Sequence, residues 1–276
     1  MEQSPQIKTA TTPFEKMQTT DQKNINKAAD LNRSYIAPEI ARQRLRTIEA
    51  LDIKSGEHIL DIGCGTGFLT YEMALIVGDE GRIQAIDISD PMIDHTLDRC
   101  RDLSQVSAKV GDVCNLNFED NSFDAITCTQ VLLYVENIDD ALAEMHRVLK
   151  PGGRIAVLET DWRGVVMSSN YPEITETIMK TWDKTVASPN LPPRLSKLLK
   201  QKAFKAIRTE AIPLLNTSFS KNSFSVNTVP WLSKNAYRMD AITKEDGQVW
   251  VEDLVELGRT DAYFFCLNRF LFIAIK

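Results

Sequence analysis

The chain has 276 residues, of which 43% are hydrophobic and 25% charged, and its formal net charge is −6 at pH 7. Such a composition is typical of a globular protein with one large domain, or one domain with an insert. The acidic balance argues against nucleic acid as substrate, because nucleic-acid binders usually carry a basic surface. The five cysteines include no Cys-x-x-Cys pair, so we expect reduced thiols in a cytoplasmic protein, without disulfides or a metal site.

The N-terminal residues are polar and lack the apolar core of a signal peptide. We therefore expect a mobile tail up to about residue 22, followed by a short helix over 22–34. No run of about 18 apolar residues occurs in the chain, so no membrane span is predicted. Apolar residues at helical spacing then predict a first core helix over 37–51.

Strands and helices alternate between residues 58 and 160. Apolar runs predict the strands, and Pro91 marks the first turn of one of the helices. The predicted strands are 58–62, 82–87, 106–111, 123–129 and 154–160, and the predicted helices are 67–77, 90–103 and 138–149. This alternation favours a parallel sheet with right-handed crossovers.

After residue 160 the alternation stops. The predicted elements are helices over 172–187, 194–204 and 231–258, strands over 205–215 and 262–276, and a polar loop over 216–230. Six basic residues and no acid fall within 194–208. They fit a solvated helix face, or alternatively an anion-binding patch near the substrate.

The most informative stretch runs from Ile59 to Phe68, where an apolar strand leads into a glycine turn and a helix. Its glycines follow the spacing G-x-G-x-G, with Asp61 two residues before the first. A nicotinamide-binding turn has the spacing G-x-G-x-x-G and holds a pyrophosphate, beside which an acid is unfavourable. Asp61 instead favours a ligand with an ammonium and a sulfonium, although a plain glycine turn fits the same residues.

Two more acids follow the ends of the next two predicted strands. Asp87 is suited to accept hydrogen bonds from both ribose hydroxyls, or else caps the helix that begins near Pro91. Asp112 follows Gly111 and is suited to the amino group of adenine, or else caps a loop. Since ligands of open sheets bind at the carboxyl ends of the strands, these acids and Asp61 are predicted to converge on one crevice.

The order of these motifs resembles that of the class I S-adenosylmethionine (AdoMet) methyltransferases. Together with the run from Ala141 to Gly153, it is similar to the small-molecule enzymes of ubiquinone and menaquinone biosynthesis, in the methyltransferase type 11 family. The resemblance covers about residues 45–160. It implies AdoMet as methyl donor, transfer by direct displacement, and a Rossmann-like α/β fold. That fold has seven strands, mostly parallel with an antiparallel last strand, and helices on both faces.

The same resemblance implies a set of AdoMet contacts at Asp61, Gly63, Gly65, Asp87, Ile88, Asp112 and Val113. Further expected neighbours of the cofactor are Tyr35, Cys64, Met92, Gly111, Thr129 and Gln130. The tail resembles more closely a bacterial subgroup that includes a teleocidin-pathway C-methyltransferase, on the basis of Asp161-Trp162 and the stretches 189–194 and 263–270. This likeness points to secondary metabolism.

We expect three parts of the chain: an N-terminal extension or helical lid over 1–40, an AdoMet-binding core over 41–160, and an insert with the last two strands over 161–276. The insert is predicted to supply a pocket for a small, largely apolar methyl acceptor. The predicted pocket residues are Tyr134, Asp161, Trp162 and Arg163. The candidates for a general base are Tyr134, Glu159 and Asp161, whereas none of the three histidines is expected at the reaction centre.

Three other functions are compatible with parts of this pattern. A methyltransferase acting on nucleic acid or protein is disfavoured by the acidic charge, and a nicotinamide oxidoreductase by the glycine spacing. A non-catalytic AdoMet-binding protein fits the same motifs. The sequence also allows a homo-oligomer.

Overall fold

The computed structural model describes residues 34–276, and the predicted tail and the helix over 22–34 lie almost entirely outside that range. The helices are α1 (Pro38–Leu51), α2 (Phe68–Val77), α3 (Asp90–Arg99), α4 (Ile138–Val148), α5 (Pro172–Asp183), α6 (Pro192–Gln201), α7 (Phe224–Arg238) and α8 (Lys244–Arg259). The strands are β1 (His58–Ile62), β2 (Arg82–Asp87), β3 (Val106–Val110), β4 (Phe123–Thr129), β5 (Leu149–Thr160), β6 (Val166–Met167), β7 (Lys205–Asn216) and β8 (Phe265–Ile275).

The strands form one sheet in the order β3-β2-β1-β4-β5-β8, with β7 on the far side of β8. Strands β1 to β5 run parallel, and β8 runs antiparallel to both β5 and β7. The predicted α/β fold with an antiparallel last strand is therefore confirmed. The number of strands differs from the predicted seven, because the two-residue strand β6 also pairs with the start of β8.

Apolar side chains from alternate positions of the strands are buried on both faces of the sheet. One face packs on α1 and α2 through residues such as Leu51 and Met73. The other face packs on α4 and α6 through residues such as Met145 and Leu199. Because the central strands β1 and β4 are covered on both faces, a ligand can reach them only at their ends. The carboxyl ends of β1, β2 and β4 share one edge of the sheet.

A second apolar core lies beyond β5, where α5, α7 and α8 pack against the first residues of β8. Trp162, Trp182 and Trp250 are at most 7% exposed within it. The indole N–H of Trp250 donates to Thr175 Oγ1 at 2.8 Å, which ties α8 to α5. The helical insert predicted after strand five is present as this layer.

Three of the predicted boundaries in the second half are wrong. The predicted loop over 216–230 contains the first half of α7, which continues through Pro230. The predicted single helix over 231–258 is two helices. They are separated at Asp240, which has a positive φ, and α8 restarts with a Thr243–Asp246 capping box. The helix predicted over 194–204 likewise begins two residues earlier and ends earlier, as α6 (Pro192–Gln201), with Pro192 in its first turn.

Within residues 34–276, no helix is long and apolar enough to cross a membrane. The division into three parts, the cytoplasmic location and the homo-oligomer stay predictions.

Candidate active site

The turn between β1 and α2 requires glycine for two separate reasons. Gly63, Gly65 and Gly67 all have positive φ, at 70°, 55° and 78°. A Cβ on Gly63 would also overlap Val131 Cγ2, and one on Gly67 would lie 2.9 Å from Thr96 Cα. The main chain at Gly63 and Gly67 is thus packed directly against neighbouring elements, while Gly63 and Gly65 are partly exposed.

Asp61 lies at the floor of this turn and is 2% exposed. Its carboxylate accepts hydrogen bonds from Thr70 Oγ1 at 2.6 Å and from Thr127 Oγ1 at 2.7 Å. Burial raises the pKa of Asp61, and the two hydroxyl donors oppose that rise. Asp61 therefore joins β1, α2 and β4, and it also lines the cavity above the turn.

Asp87 ends β2 and faces the same turn. Its Oδ2 accepts a hydrogen bond from the Gly65 backbone N–H at 3.0 Å, and its Oδ1 accepts one from the Ser89 N–H at 2.9 Å. Burial raises its pKa, against these backbone donors. Asp87 fits both interpretations, the helix cap and the ribose acceptor. It accepts a backbone hydrogen bond just before α3, as a capping residue does, and its oxygens retain lone pairs for ribose hydroxyls.

The third acid lies at a separate place along the edge. Asp112 Oδ1 accepts a hydrogen bond from the Cys114 N–H at 2.8 Å, which fits the loop-capping alternative. Gly111 and Asp112 line a cavity of about 170 Å³ beside β3, together with Phe118. The neighbouring Val113 is buried. Gly111 and Asp112 therefore line a different cavity from the one that Asp61 lines.

Six of the predicted cofactor neighbours line one cavity at the carboxyl edge of β1 and β4. They are Tyr35, Asp61, Gly63, Cys64, Thr129 and Gln130. Gln130 has a φ of 58°, which is uncommon outside glycine, and its side-chain carbonyl accepts a hydrogen bond from Thr160 Oγ1 at 2.7 Å. Within residues 34–276, the buried Thr129 hydroxyl has no hydrogen-bond partner. The predicted neighbours Gly65, Asp87, Ile88 and Met92 are not among the residues that line this cavity. Asp87 contacts the glycine turn through the Gly65 N–H instead.

Tyr35 forms the roof of the cavity. A Cβ on Gly65 would lie 3.6 Å from its hydroxyl, and burial raises its pKa. The backbone carbonyl of Tyr35 accepts a hydrogen bond from Arg44 Nη1 at 2.7 Å, while Arg44 pairs with Glu72 of α2 at 2.8 Å. The start of α1 is thereby tied to the helix that follows the glycine turn.

Sequence reasoning missed Gln43, Arg44, Phe68 and Arg269, which also line this cavity. Arg269 comes from β8, more than 200 residues after the glycine turn. Its place could have been inferred only from the pairing of β8 with the end of β5, which the sequence did not reveal.

Glu159 and Tyr134 lie next to the same edge. Glu159 is fully buried, and its Oε1 accepts hydrogen bonds from the Val131 and Leu132 N–H groups at 3.1 and 2.7 Å. Within the described chain its Oε2 has no partner, and burial raises its pKa to about 8. Tyr134 is 43% exposed as a residue, while burial of its hydroxyl and the neighbouring Tyr35 and Glu159 raise its pKa.

The remaining pocket candidates lie beyond the end of β5. Asp161 forms an ion pair with Arg163 and accepts a hydrogen bond from its Nε at 2.8 Å. Trp162 is 7% exposed and packs on Trp182, with ring centroids 5.2 Å apart. Trp162 is therefore part of the second core, and Asp161 is neutralised by its neighbour.

Comparison with known proteins is consistent with this geometry. A family profile described as a methyltransferase domain matches residues 53–211, which is more than half of the chain. The chain belongs to the methyltransferase-domain family. This confirms the predicted class I AdoMet methyltransferase domain, whereas the likeness of the tail to the teleocidin-pathway subgroup stays a prediction.

Individual relatives and structures match less of the chain or are more distant. The ubiquinone/menaquinone biosynthesis C-methyltransferase UbiE of Teredinibacter turnerae is 46% identical over 116 residues, covering 41% of this chain and 47% of its own length. The chain spans about half the length of the curated relatives it matches.

Two solved structures share the fold. One is phosphoethanolamine N-methyltransferase 2 of Haemonchus contortus in complex with AdoMet, with a TM-score of 0.63, 19% identity, and coverage of 96% of this chain and 60% of that one. The other is the [4+2]-cyclase SpnF, with a TM-score of 0.54, 22% identity, and coverage of 85% and 80%.

The residues around the glycine turn fit AdoMet as the cofactor of this domain. Asp61 and Asp87 suit its positive charges and hydroxyls, and the turn leaves backbone accessible where Gly65 has open space apart from Tyr35. The unpartnered Thr129 hydroxyl and the Arg269 Nε, both buried in the described chain, are available to a polar ligand.

Proposed function

We propose that the protein transfers the methyl group of AdoMet to a small, largely apolar acceptor. The observation that carries this proposal is the convergence of six expected cofactor residues on one cavity. The buried carboxyl of Glu159 accepts a hydrogen bond from the Val131 N–H, directly after the cavity residue Gln130. Membership of the methyltransferase-domain family supports it.

Bound AdoMet supplies an electrophilic methyl group on a sulfonium sulfur. The residues of this chain contribute mainly by alignment and exclusion of water. Asp87 and the glycine turn fix the nucleoside end, and Tyr35 covers the cavity. An electron pair of the acceptor forms the new bond to the methyl carbon, and the pair of the broken C–S bond stays on sulfur.

Glu159 is the strongest candidate to accept a proton when the acceptor has to lose one. Its pKa of about 8 lies close to neutral pH, where a general base is most effective. Its Oε2 is also free of partners within residues 34–276. Asp161 is the weaker candidate, because Arg163 already neutralises it.

An apolar acceptor is supported by the layer that follows β5. Trp162, Trp182 and Trp231 form a continuous aromatic contact from the second core to the surface, where Trp231 is 45% exposed. The quinone-pathway name of the relative UbiE is also compatible with an apolar acceptor. The resemblance of the tail to a natural-product subgroup favours a role in secondary metabolism.

The experiment is an assay with methyl-labelled AdoMet and a panel of apolar phenols, indoles and quinols, alongside RNA, DNA and unmodified protein. Label in a small molecule is the expected result, and label in a macromolecule would contradict the proposal. AdoMet binding without transfer to any acceptor in the panel would favour the non-catalytic alternative. A variant with Asp87→Ala serves as the control for transfer that depends on the cofactor site.

A further inference from the structure

Arg269 is a buried cation at the carboxyl edge of the sheet. It lies on β8 between Thr160 of β5 and Ile212 of β7, and it is 7% exposed. It lines the same cavity as Asp61 and Gly63. The guanidinium thus faces the place where the amino acid end of AdoMet is expected.

No carboxylate within residues 34–276 forms an ion pair with Arg269. Its Nη1 donates to the neutral side chain of Gln43, and its Cζ lies 5.2 Å from the centre of the Phe224 ring. Its Nε–H has no partner in the described chain. Burial lowers its pKa to about 10, so it remains charged at neutral pH. Glu159 interacts with this charge electrostatically without forming an ion pair. A buried charge without a contacting counterion is unfavourable, and an anionic ligand would offset that cost.

The other arginine that lines the cavity is already paired. Arg44 forms a bidentate ion pair with Glu72, in which Nε and Nη2 both lie within 3.0 Å of carboxylate oxygens. Among the cavity-lining residues of the described chain, Arg269 is therefore the cation left for an anion. We propose that Arg269 binds the carboxylate of the methionine portion of AdoMet through its Nε–H, with Gln43 holding the guanidinium in place.

This assignment rests on AdoMet as the cofactor and is independent of the acceptor. It makes Arg269 a specificity-determining residue, since it distinguishes nucleosides that carry the amino acid carboxylate from those that lack it. An acidic group on the methyl acceptor could also supply the anion that Arg269 binds. Ligands with and without the amino acid carboxylate distinguish that source from AdoMet.

The test compares calorimetric binding of S-adenosylhomocysteine with that of 5′-methylthioadenosine, which has the nucleoside and sulfur but no amino acid. Arg269→Met should weaken binding of S-adenosylhomocysteine about ten- to a hundredfold, and leave binding of methylthioadenosine unchanged. Arg46→Met is the matched control, because Arg46 is an exposed arginine of α1 that pairs with Glu210 on the surface.

Two results with Arg269→Met would overturn the proposal. Unchanged binding of both ligands would show that Arg269 does not contact the cofactor and would assign it to the acceptor site. An equal loss of binding for both ligands would show that its role is structural. Failure of the parent protein to bind either ligand would instead contradict the proposed cofactor. If Arg269→Met does not fold, the second variant is Gln43→Glu, which supplies an internal carboxylate at Arg269 Nη1. It should weaken the binding of S-adenosylhomocysteine and leave that of methylthioadenosine unchanged. Binding of both ligands as tightly as in the parent protein would also overturn the proposal.

Discussion

The Asp87 carboxylate accepts a hydrogen bond from the Gly65 N–H at 3.0 Å, so the end of β2 holds the middle of the glycine turn. This contact has two expected consequences. It fixes the turn, and it points a half-buried carboxylate to the place where a ribose is expected. The contact can therefore be tested through both cofactor affinity and stability.

Asp87→Ala should weaken AdoMet binding by roughly 1.5–3 kcal/mol, because a charged acceptor of two hydrogen bonds is lost. Calorimetric titration with AdoMet measures the effect, and Asp94→Ala on the exposed side of α3 is the matched control. Thermal melting of both variants without ligand separates lost binding from lost folding. Parental affinity in Asp87→Ala would show that the ribose assignment is wrong.

Gly63→Ala should abolish AdoMet binding or destabilise the protein, because the added Cβ overlaps Val131 Cγ2 at a positive φ. Gly152→Ala is the control, since Gly152 has a φ of 78° with nothing within 4 Å of its Cβ position. The control carries backbone strain of roughly 1 kcal/mol without the overlap. Partial recovery of binding in the double variant Gly63→Ala, Val131→Ala would assign the difference to the overlap, and no recovery would refute it.

The motifs that were predicted well are local ones. The glycine turn, Asp61 and Asp87 lie within 27 residues of each other. Strands alternate with helices in this stretch, and this alternation determines that these residues share one edge of the sheet. Arg269 and Gln43 could not be found in this way, because they reach the cavity through the pairing of β8 with β5 and the packing of α1. The errors in the second half have a local cause, since Pro230 and the polar residues around it suggested a loop where packing stabilises α7.

Deletion of residues 1–36 should weaken AdoMet binding while the core stays folded. Tyr35 roofs the cavity. Its backbone carbonyl accepts a hydrogen bond from Arg44, and its half-buried ring packs at the margin of the second core. Calorimetry on the truncated chain measures affinity, and its melting transition reports folding. The narrower variant Tyr35→Phe tests the hydroxyl alone. Unchanged affinity in the truncated protein would contradict a closing role for this segment.

Glu159 should make stability depend on pH. Its folded-state pKa of about 8 lies above that of an exposed glutamate, so between pH 5 and 8 the folded state binds more protons than the unfolded state. The free energy of unfolding should therefore fall as pH rises through this window, by about 1 kcal/mol or more. Urea titrations at pH 5, 6.5 and 8 measure it.

In Glu159→Gln the same fall should be missing, because the amide does not titrate and its carbonyl can still accept from the Val131 and Leu132 N–H groups. If the free energy of unfolding falls equally with pH in the parent and the variant, the group that titrates is not Glu159. If Glu159 is the general base, turnover should drop roughly 10²–10⁴-fold in this variant with AdoMet affinity intact.

The three histidines should be dispensable for methyl transfer. His58 begins β1, at the edge opposite the strand ends that carry Asp61 and Asp87. His146 lies near the end of α4 and packs on Phe204, with ring centroids 5.1 Å apart. Burial and two nearby lysines lower the pKa of His146. His95 lies on α3, beyond the ribose end of the expected cofactor.

Single His→Asn variants at these three positions should keep both AdoMet affinity and turnover, since none of the side chains lines the cavity at the glycine turn. The measurement is the initial rate with a known acceptor at saturating AdoMet, next to that of Glu159→Gln, which should be low if Glu159 is the general base. A positioned base contributes roughly 10²–10⁴-fold in rate, so its loss is easily detected. A hundredfold drop in one histidine variant with unchanged AdoMet affinity would identify that histidine as the base and would remove Glu159 from that role.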